Sequence, residues 1–133
     1  MFRSGAVEAV DSHLLNFASN SIPWPTLGKE LMEQARHYLM CLNALGCDPP
    51  IGVAVTLTNV QNFSIAADGP PSFFPTRPLD LRVLSIPEVV AESFEVDVPR
   101  LMQPIFDILW QSCGRDRCEN YDSAGSCNIV LEY

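Results

Sequence analysis

The sequence is short of cations. Lys and Arg number 8 against 16 Asp and Glu, which leaves a formal net charge of -8. The cations (Arg3, Lys29, Arg36, Arg77, Arg82, Arg100, Arg115 and Arg117) are scattered, and where Arg115 and Arg117 cluster, Asp116 and Glu119 offset them. Cationic contacts to phosphate supply most of the affinity for nucleic acid, so this chain alone is not expected to bind it. No apolar run approaches the ~20 residues of a membrane helix, so no membrane partner is expected. No basic leader precedes an apolar core, and the expected setting is a reducing cytoplasm. Phosphate-cradling GxxxxGK[ST] and GxGxxG runs are absent, as are GxSxG and HExxH. The five cysteines, Cys41, Cys47, Cys113, Cys118 and Cys127, contain no closely spaced C-x-x-C pair, so they read as ordinary free thiols, and neither a metal nor a cofactor is expected. Of the two histidines, His37 lies beside the apolar stripe of a helix and reads as a surface residue.

What is present is enough apolar material to fold. Hydrophobic residues make up 47% and charged residues 18%, too apolar for a disordered chain. A length of 133 residues fits one domain, residues 1–133, able to bury a core without staples.

Residues 1–10 read as a strand that begins almost at Met1, and 13–25 as a loop or short helix. The clearest helix follows. Thr26 is placed to cap it, and Leu27, Leu31, Ala35, Tyr38, Leu42 and Leu45 form one stripe, widened by Met32 and Leu39. Lys29 and Glu33 sit four apart on its wet side. Gly46 ends it, and Pro49-Pro50 blocks continuation. Ile51 to Thr58 alternates Ile51, Val53, Val55 and Leu57 with small or polar residues, the pattern of a strand. A turn at 59–61 and a return over 62–67 predict a hairpin. Residues 68–78 hold four of the eleven prolines and read as a loop. Residues 79–86 are apolar on both faces, as in a central strand. Residues 89–94 form a further short strand.

Asp97 is placed to cap a second helix with Pro99 in its first turn. Leu101, Met102, Ile105, Phe106, Leu109, Trp110 and Cys113 make its apolar face, and Gly114 stops it. A polar loop, 115–126, precedes a last strand at 128–133. The expected fold is therefore α+β: a two-layer sandwich with two helices on one face of a mainly antiparallel sheet of about five strands.

Chemistry-bearing residues gather at the end of the second helix. Asp107, Asp116, Glu119 and Asp122 surround it. Asp107 fits two roles, a buried carboxylate accepting backbone N–H groups of the next loop, or a metal or general-base residue. Cys118, between Arg117 and Glu119, is expected to be exposed and mildly activated by Arg115 and Arg117. Asp107, Cys118 and Asp122 are thus the catalytic candidates. Interaction candidates are Phe73 and Phe74 in the proline-rich loop, and Arg115, Arg117, Asn120 and Tyr121 in the later one.

Three stretches, FRSGAVEAVD, RHYLMCLNALGCDPPIGVAVTL and LMQPIFDILWQSCGRDRCENYDSAG, resemble the carboxy-terminal region of bacterial proteins with an amino-terminal Alba-like Schlafen domain. The most specific part is Pro104 to Trp110, then Gly114, then Asn120-Tyr121-Asp122 before Gly125. The family pattern has Asn where Gln111 stands, Ser near Cys118 and an aromatic residue near Ser126. The ATP-binding or DNA-binding roles assigned to that family belong to the Alba-like domain, so the resemblance carries no such residue here. It implies a free-standing or truncated tail domain. The leading expectation is an accessory protein-interaction or self-associating domain without catalysis of its own. The alternatives are a metal-assisted hydrolase built on Asp107, Asp116, Glu119 and Asp122, and a nucleic-acid-associated module working beside an Alba-like partner.

Overall fold

The computed structural model describes residues 5–15, 18–67 and 77–132. In chain order the elements are β1 (Ser21–Trp24), α1 (Thr26–Ala44), β2 (Ile51–Val53), β3 (Thr56–Thr58), β4 (Ser64–Ala67), β5 (Val83–Ser85), β6 (Val89–Ala91) and α2 (Val98–Ser112). The molecule is mixed α and β, with the two helices packed on each other, α1 also on β1 and α2 also on β6.

Both helices end as the sequence predicts. Gly46 and Gly114 have φ of +79° and +84°, a conformation that glycine enters without a Cβ clash. Each helix closes with a Schellman pair. In α1, Gly46 N–H donates to Asn43 O and Cys47 N–H to Leu42 O; in α2, Gly114 N–H donates to Gln111 O and Arg115 N–H to Trp110 O. The Asp97 side chain accepts from Arg100 N–H and caps α2. The start of α1 differs from expectation. Lys29 N–H reaches Pro25 O at 2.9 Å, so Pro25 occupies the cap position and Thr26 is already helical, with no side-chain cap. The buried stripe of α1 is Leu27, Gly28, Met32, Ala35, Leu39 and Leu42. Leu45 falls outside it, 55% exposed.

The strands depart further from expectation. In place of one sheet of about five strands, six short strands pair as three two-stranded ladders, β1–β4, β2–β6 and β3–β5. The alternation over 51–58 is real: odd-numbered residues face inward and even-numbered ones outward throughout. The strand is nevertheless split, because β2 pairs antiparallel with β6 while β3 pairs antiparallel with β5. The expected hairpin between 51–58 and 62–67 does not form. β4 runs parallel to β1, with Ile22 opposite Ile65. The reason lies in the turn. Asn59 and Asn62 take positive φ, and Val60 between them is fully buried. The chain at 79–82 then occupies the place of a hairpin partner: Val60 N–H donates to Arg82 O, Asn62 N–H to Leu79 O and Leu79 N–H to Phe63 O.

Three other strand readings are corrected. Within 79–86 only Val83–Ser85 is a strand, and Leu81 and Val83 are exposed, so it is not central. Residues 5–10 form no strand. Residues 128–132 form none either, although their alternation survives, because Ile129 and Leu131 pack against the core while Val130 is 79% exposed. Side chains of α1 hold this tail: Glu33 Oε1 accepts from Glu132 N–H at 2.9 Å, and Lys29 Nζ lies 3.5 Å from the Glu132 carboxylate. The expected Lys29–Glu33 helix pair gives way to these two contacts.

The core centres on aromatic rings. Trp24 meets Phe106 edge-on at 5.1 Å and Trp110 edge-on at 5.7 Å, and Phe106 lies 6.5 Å from Tyr121. Trp24 also covers Gly28, where an added Cβ would lie 2.6 Å from the indole. Alanine is the better helix former by about 1 kcal/mol. Here the ring cannot retreat, being fixed by Phe106, Trp110 and a hydrogen bond to Asn120. Gly28→Ala is therefore expected to destabilise the protein by about 1–2 kcal/mol in urea titrations, overpacking outweighing propensity. A stabilising result would show that Trp24 moves freely.

Candidate functional site

The second helix and the loop behind it form one hydrogen-bonded unit. The predicted apolar face of α2 is buried in full, Leu101 to Cys113, which fixes its polar flank toward residues 115–128. Four side chains of that region then tie the loop down. Asp107 Oδ1 accepts the Cys118 N–H at 2.9 Å. Gln111 Nε2 donates to Asp116 O at 3.0 Å, and Arg100 Nη2 to Ala124 O at 3.4 Å. The Tyr121 hydroxyl donates to Pro99 O at 2.6 Å. From the other side of the core, Trp24 Nε1 donates to Asn120 Oδ1 at 2.6 Å, and Asn120 Nδ2 donates to Asn128 Oδ1 at 2.8 Å.

Asp122 builds the turn that follows. Its Oδ1 accepts from Ala124 N–H at 2.9 Å and Ser126 N–H at 2.8 Å, while Gly125 takes φ +83°. These bonds make a side-chain-closed turn of the kind Asp favours. A bridge between Tyr121 and Cys127 closes the loop base. Arg115 is ion-paired with Glu119 one turn on.

The candidates named from sequence therefore separate into three groups. Asp107 takes the structural option, accepting the backbone of the following loop. The four carboxylates do not converge: only Glu119 and Asp122 line the shallow hollow of about 220 Å³ formed with Asn120, Tyr121, Ser126, Cys127 and Asn128. Among the described residues no group of three or more His, Cys, Asp or Glu side chains is arranged to hold a metal ion. The hydrolase reading needed that convergence, and it lacks the geometry. Cys118 is corrected outright. It is 0% exposed rather than presented to solvent, and burial pushes its thiol up to about 12, with Asp107, Cys127 and Glu119 adding to the shift. A protonated, enclosed thiol is no nucleophile. Tyr121, named as an interaction residue, faces inward at 3% exposure, and burial raises its phenol well above the ordinary range. Asn120 is half-buried and Arg117 exposed. Phe73 and Phe74 lie outside the described residues. His13 and His37 are both exposed.

Sequence reasoning missed the Trp24–Asn120 bond, which spans 96 positions. Its one available signal was a tryptophan, a residue whose N–H needs a partner once buried.

The two buried thiols make the protein sensitive to alkali. Burial raises Cys113 to about 11 and Cys118 to about 12 from an ordinary 9.0. Below pH 9 both are protonated in folded and unfolded chains, and this stabilising difference is absent from the pH dependence. Above it the unfolded chain releases protons that the folded chain keeps, so stability falls as pH rises toward 11 and 12. The expected slope is about 1 kcal/mol per pH unit for each thiol. Urea titrations at pH 8 and 10 check it, and Cys118→Ala should flatten the decline; a pH-independent midpoint would show that both thiols ionise freely.

Comparison of the chain with protein-family models, with curated proteins and with solved structures gave no match.

Proposed function

We propose that this chain is a non-catalytic accessory domain for protein interaction, of the kind that forms the tail of Schlafen Alba-like-domain proteins. One observation carries the reading: the groups best suited to chemistry at the end of α2 are consumed in holding the loop. Asp107 binds the Cys118 amide, Asp122 binds its own turn, and Cys118 and Tyr121 are buried. What remains outward on that rigid frame is a set of contact groups, Arg117, Glu119, Ser123 and Ala124.

The Schlafen-tail resemblance fits this role. Its shared residues are those the frame uses: Phe106 and Trp110 in the core, Gly114 at the helix end, Asn120 against Trp24, Asp122 and Gly125 in the turn. They form an architectural pattern, which explains how it persists where Gln111, Cys118 and Ser126 differ. In this reading the helices and strands form two layers, and a protein partner meets the loop surface.

The test is affinity capture with the whole chain against the double variant Arg117→Glu, Ser123→Arg. Both residues are exposed, so the melting temperature should not change. The reading expects a specific protein retained by the wild type and lost by the variant. Identical partners for both proteins would overturn it.

A further inference from the structure

The outward face of α1 is treated differently along its length. Over the first half, Lys29 and Glu33 are engaged by Glu132 of the tail. From His37 onward the face consists of His37, Met40, Cys41, Ala44 and Leu45, all exposed. Their three- and four-residue spacing aligns them in one stripe. Met40 and Leu45 are 58% and 55% exposed, large for apolar side chains on a helix that has a buried side. The stripe continues at Met40 into a groove of about 430 Å³ whose walls include Leu39, Phe94, Val96 and Val98.

Charge decides what suits this surface. No formally charged residue lies between Arg36 and Asp48, in a chain whose net charge is -8. An acidic or basic partner would find nothing there to recognise it. Two copies of this chain repel one another over most approaches, and an uncharged stripe is where that repulsion is least. A two-fold contact also sets a patch against itself, so like charges near the axis are excluded. The ends of the stripe carry opposite signs, Arg36 on one side and Asp48 on the other.

We infer that this stripe is the contact face of a homodimer in which two α1 helices pack antiparallel. That orientation brings the Arg36 end of each copy to the Asp48 end of the other, whereas a parallel one would set like charges together. Met40 of each copy then lies near Ala44 of the other, a large side chain against a small one. The surface is narrower than the roughly 800 Å² per partner of a standard stable interface. The dimer is accordingly weak and concentration-dependent. This inference adds a second surface to the interaction reading above and does not use the 115–126 loop.

Analytical ultracentrifugation of the whole chain under reducing conditions tests it, from micromolar to millimolar protein. The wild type is expected to shift from monomer toward dimer. Met40→Glu and Leu45→Glu each place like charges across the axis, and each should weaken the dimer by roughly ten-fold or more. Both positions are exposed, so circular dichroism should not change. A short bis-maleimide should link Cys41 to its copy in the wild type. Cys41→Ser should abolish the link yet still sediment as a dimer. A strict monomer at millimolar concentration overturns the inference, as does a dimer indifferent to both Glu variants. A dimer lost in Arg117→Glu but kept in Met40→Glu moves self-association to the loop and also overturns it. Loss of partner capture in the loop variant, by contrast, bears only on the interaction reading.

Discussion

Phe106→Ala is expected to be the most damaging single truncation, at about 3–5 kcal/mol. The ring is 0% exposed and sits among Trp24, Trp110 and Tyr121. The cost of a cavity depends on how far its walls can collapse. These walls are pinned from behind. Trp24 is held by Asn120 through its N–H, and Tyr121 by Pro99 through its hydroxyl. Neither can swing inward without breaking its own hydrogen bond, so the loss should fall at the upper end of that range. For a chain of this length the melting temperature should drop by roughly 10 °C or more. Denaturant titration followed by tryptophan fluorescence would measure it. A cost below about 1 kcal/mol would mean that the aromatic cluster is loosely packed.

Asp107 should give the second largest effect, and a diagnostic one. Asp107→Ala removes the acceptor for the Cys118 amide beside a buried thiol, leaving a donor with no partner in an enclosed place. Such a change costs about 1–3 kcal/mol. Asp107→Asn keeps a carbonyl oxygen of the same reach and should lose less than half of that. The alanine variant should also free Cys118 to react with maleimide, which the wild type prevents. Maleimide labelling followed by mass spectrometry, beside denaturant titration, reads both effects. If Asp107→Ala instead kept full stability while abolishing a measurable activity, Asp107 would return to the catalytic reading.

The helices were legible because their information is local. Apolar spacing, Asp97 before Val98-Pro99, and glycines just past each end determine a helix within a few residues, and the termini followed. The strands were not legible in their pairing. Alternation over 51–58 and 128–132 told correctly which side chains turn inward. It is silent on which backbone supplies the hydrogen bonds. Tertiary contacts chose 79–82 over the expected hairpin partner, and α1 side chains over a sheet for the tail. The start of α1 was misplaced by a residue because Pro25 O already accepts from Lys29 N–H, which makes Thr26 part of the helix.

At the site, sequence identified the right region and the right alternatives for Asp107. It misread Cys118 because flanking arginines suggest an exposed, activated thiol. In three dimensions Arg115 is paired with Glu119, and the backbone amide of Cys118 is drawn inward by Asp107. Tyr121 was misread for a related reason. A polar neighbourhood in sequence hides a ring that packs on Phe106. In both cases the deciding contact comes from α2, too far back along the chain for local pattern to reveal.

The central claim is that the segment behind α2 is rigid framework held by Asp107. Native-state amide hydrogen exchange at Cys118 tests it most directly. Protection comparable with that of Phe106 and Leu109 in α2, lost selectively in Asp107→Ala, is the predicted result. Exchange of the Cys118 amide within seconds in the wild type, while α2 stays protected, would contradict it.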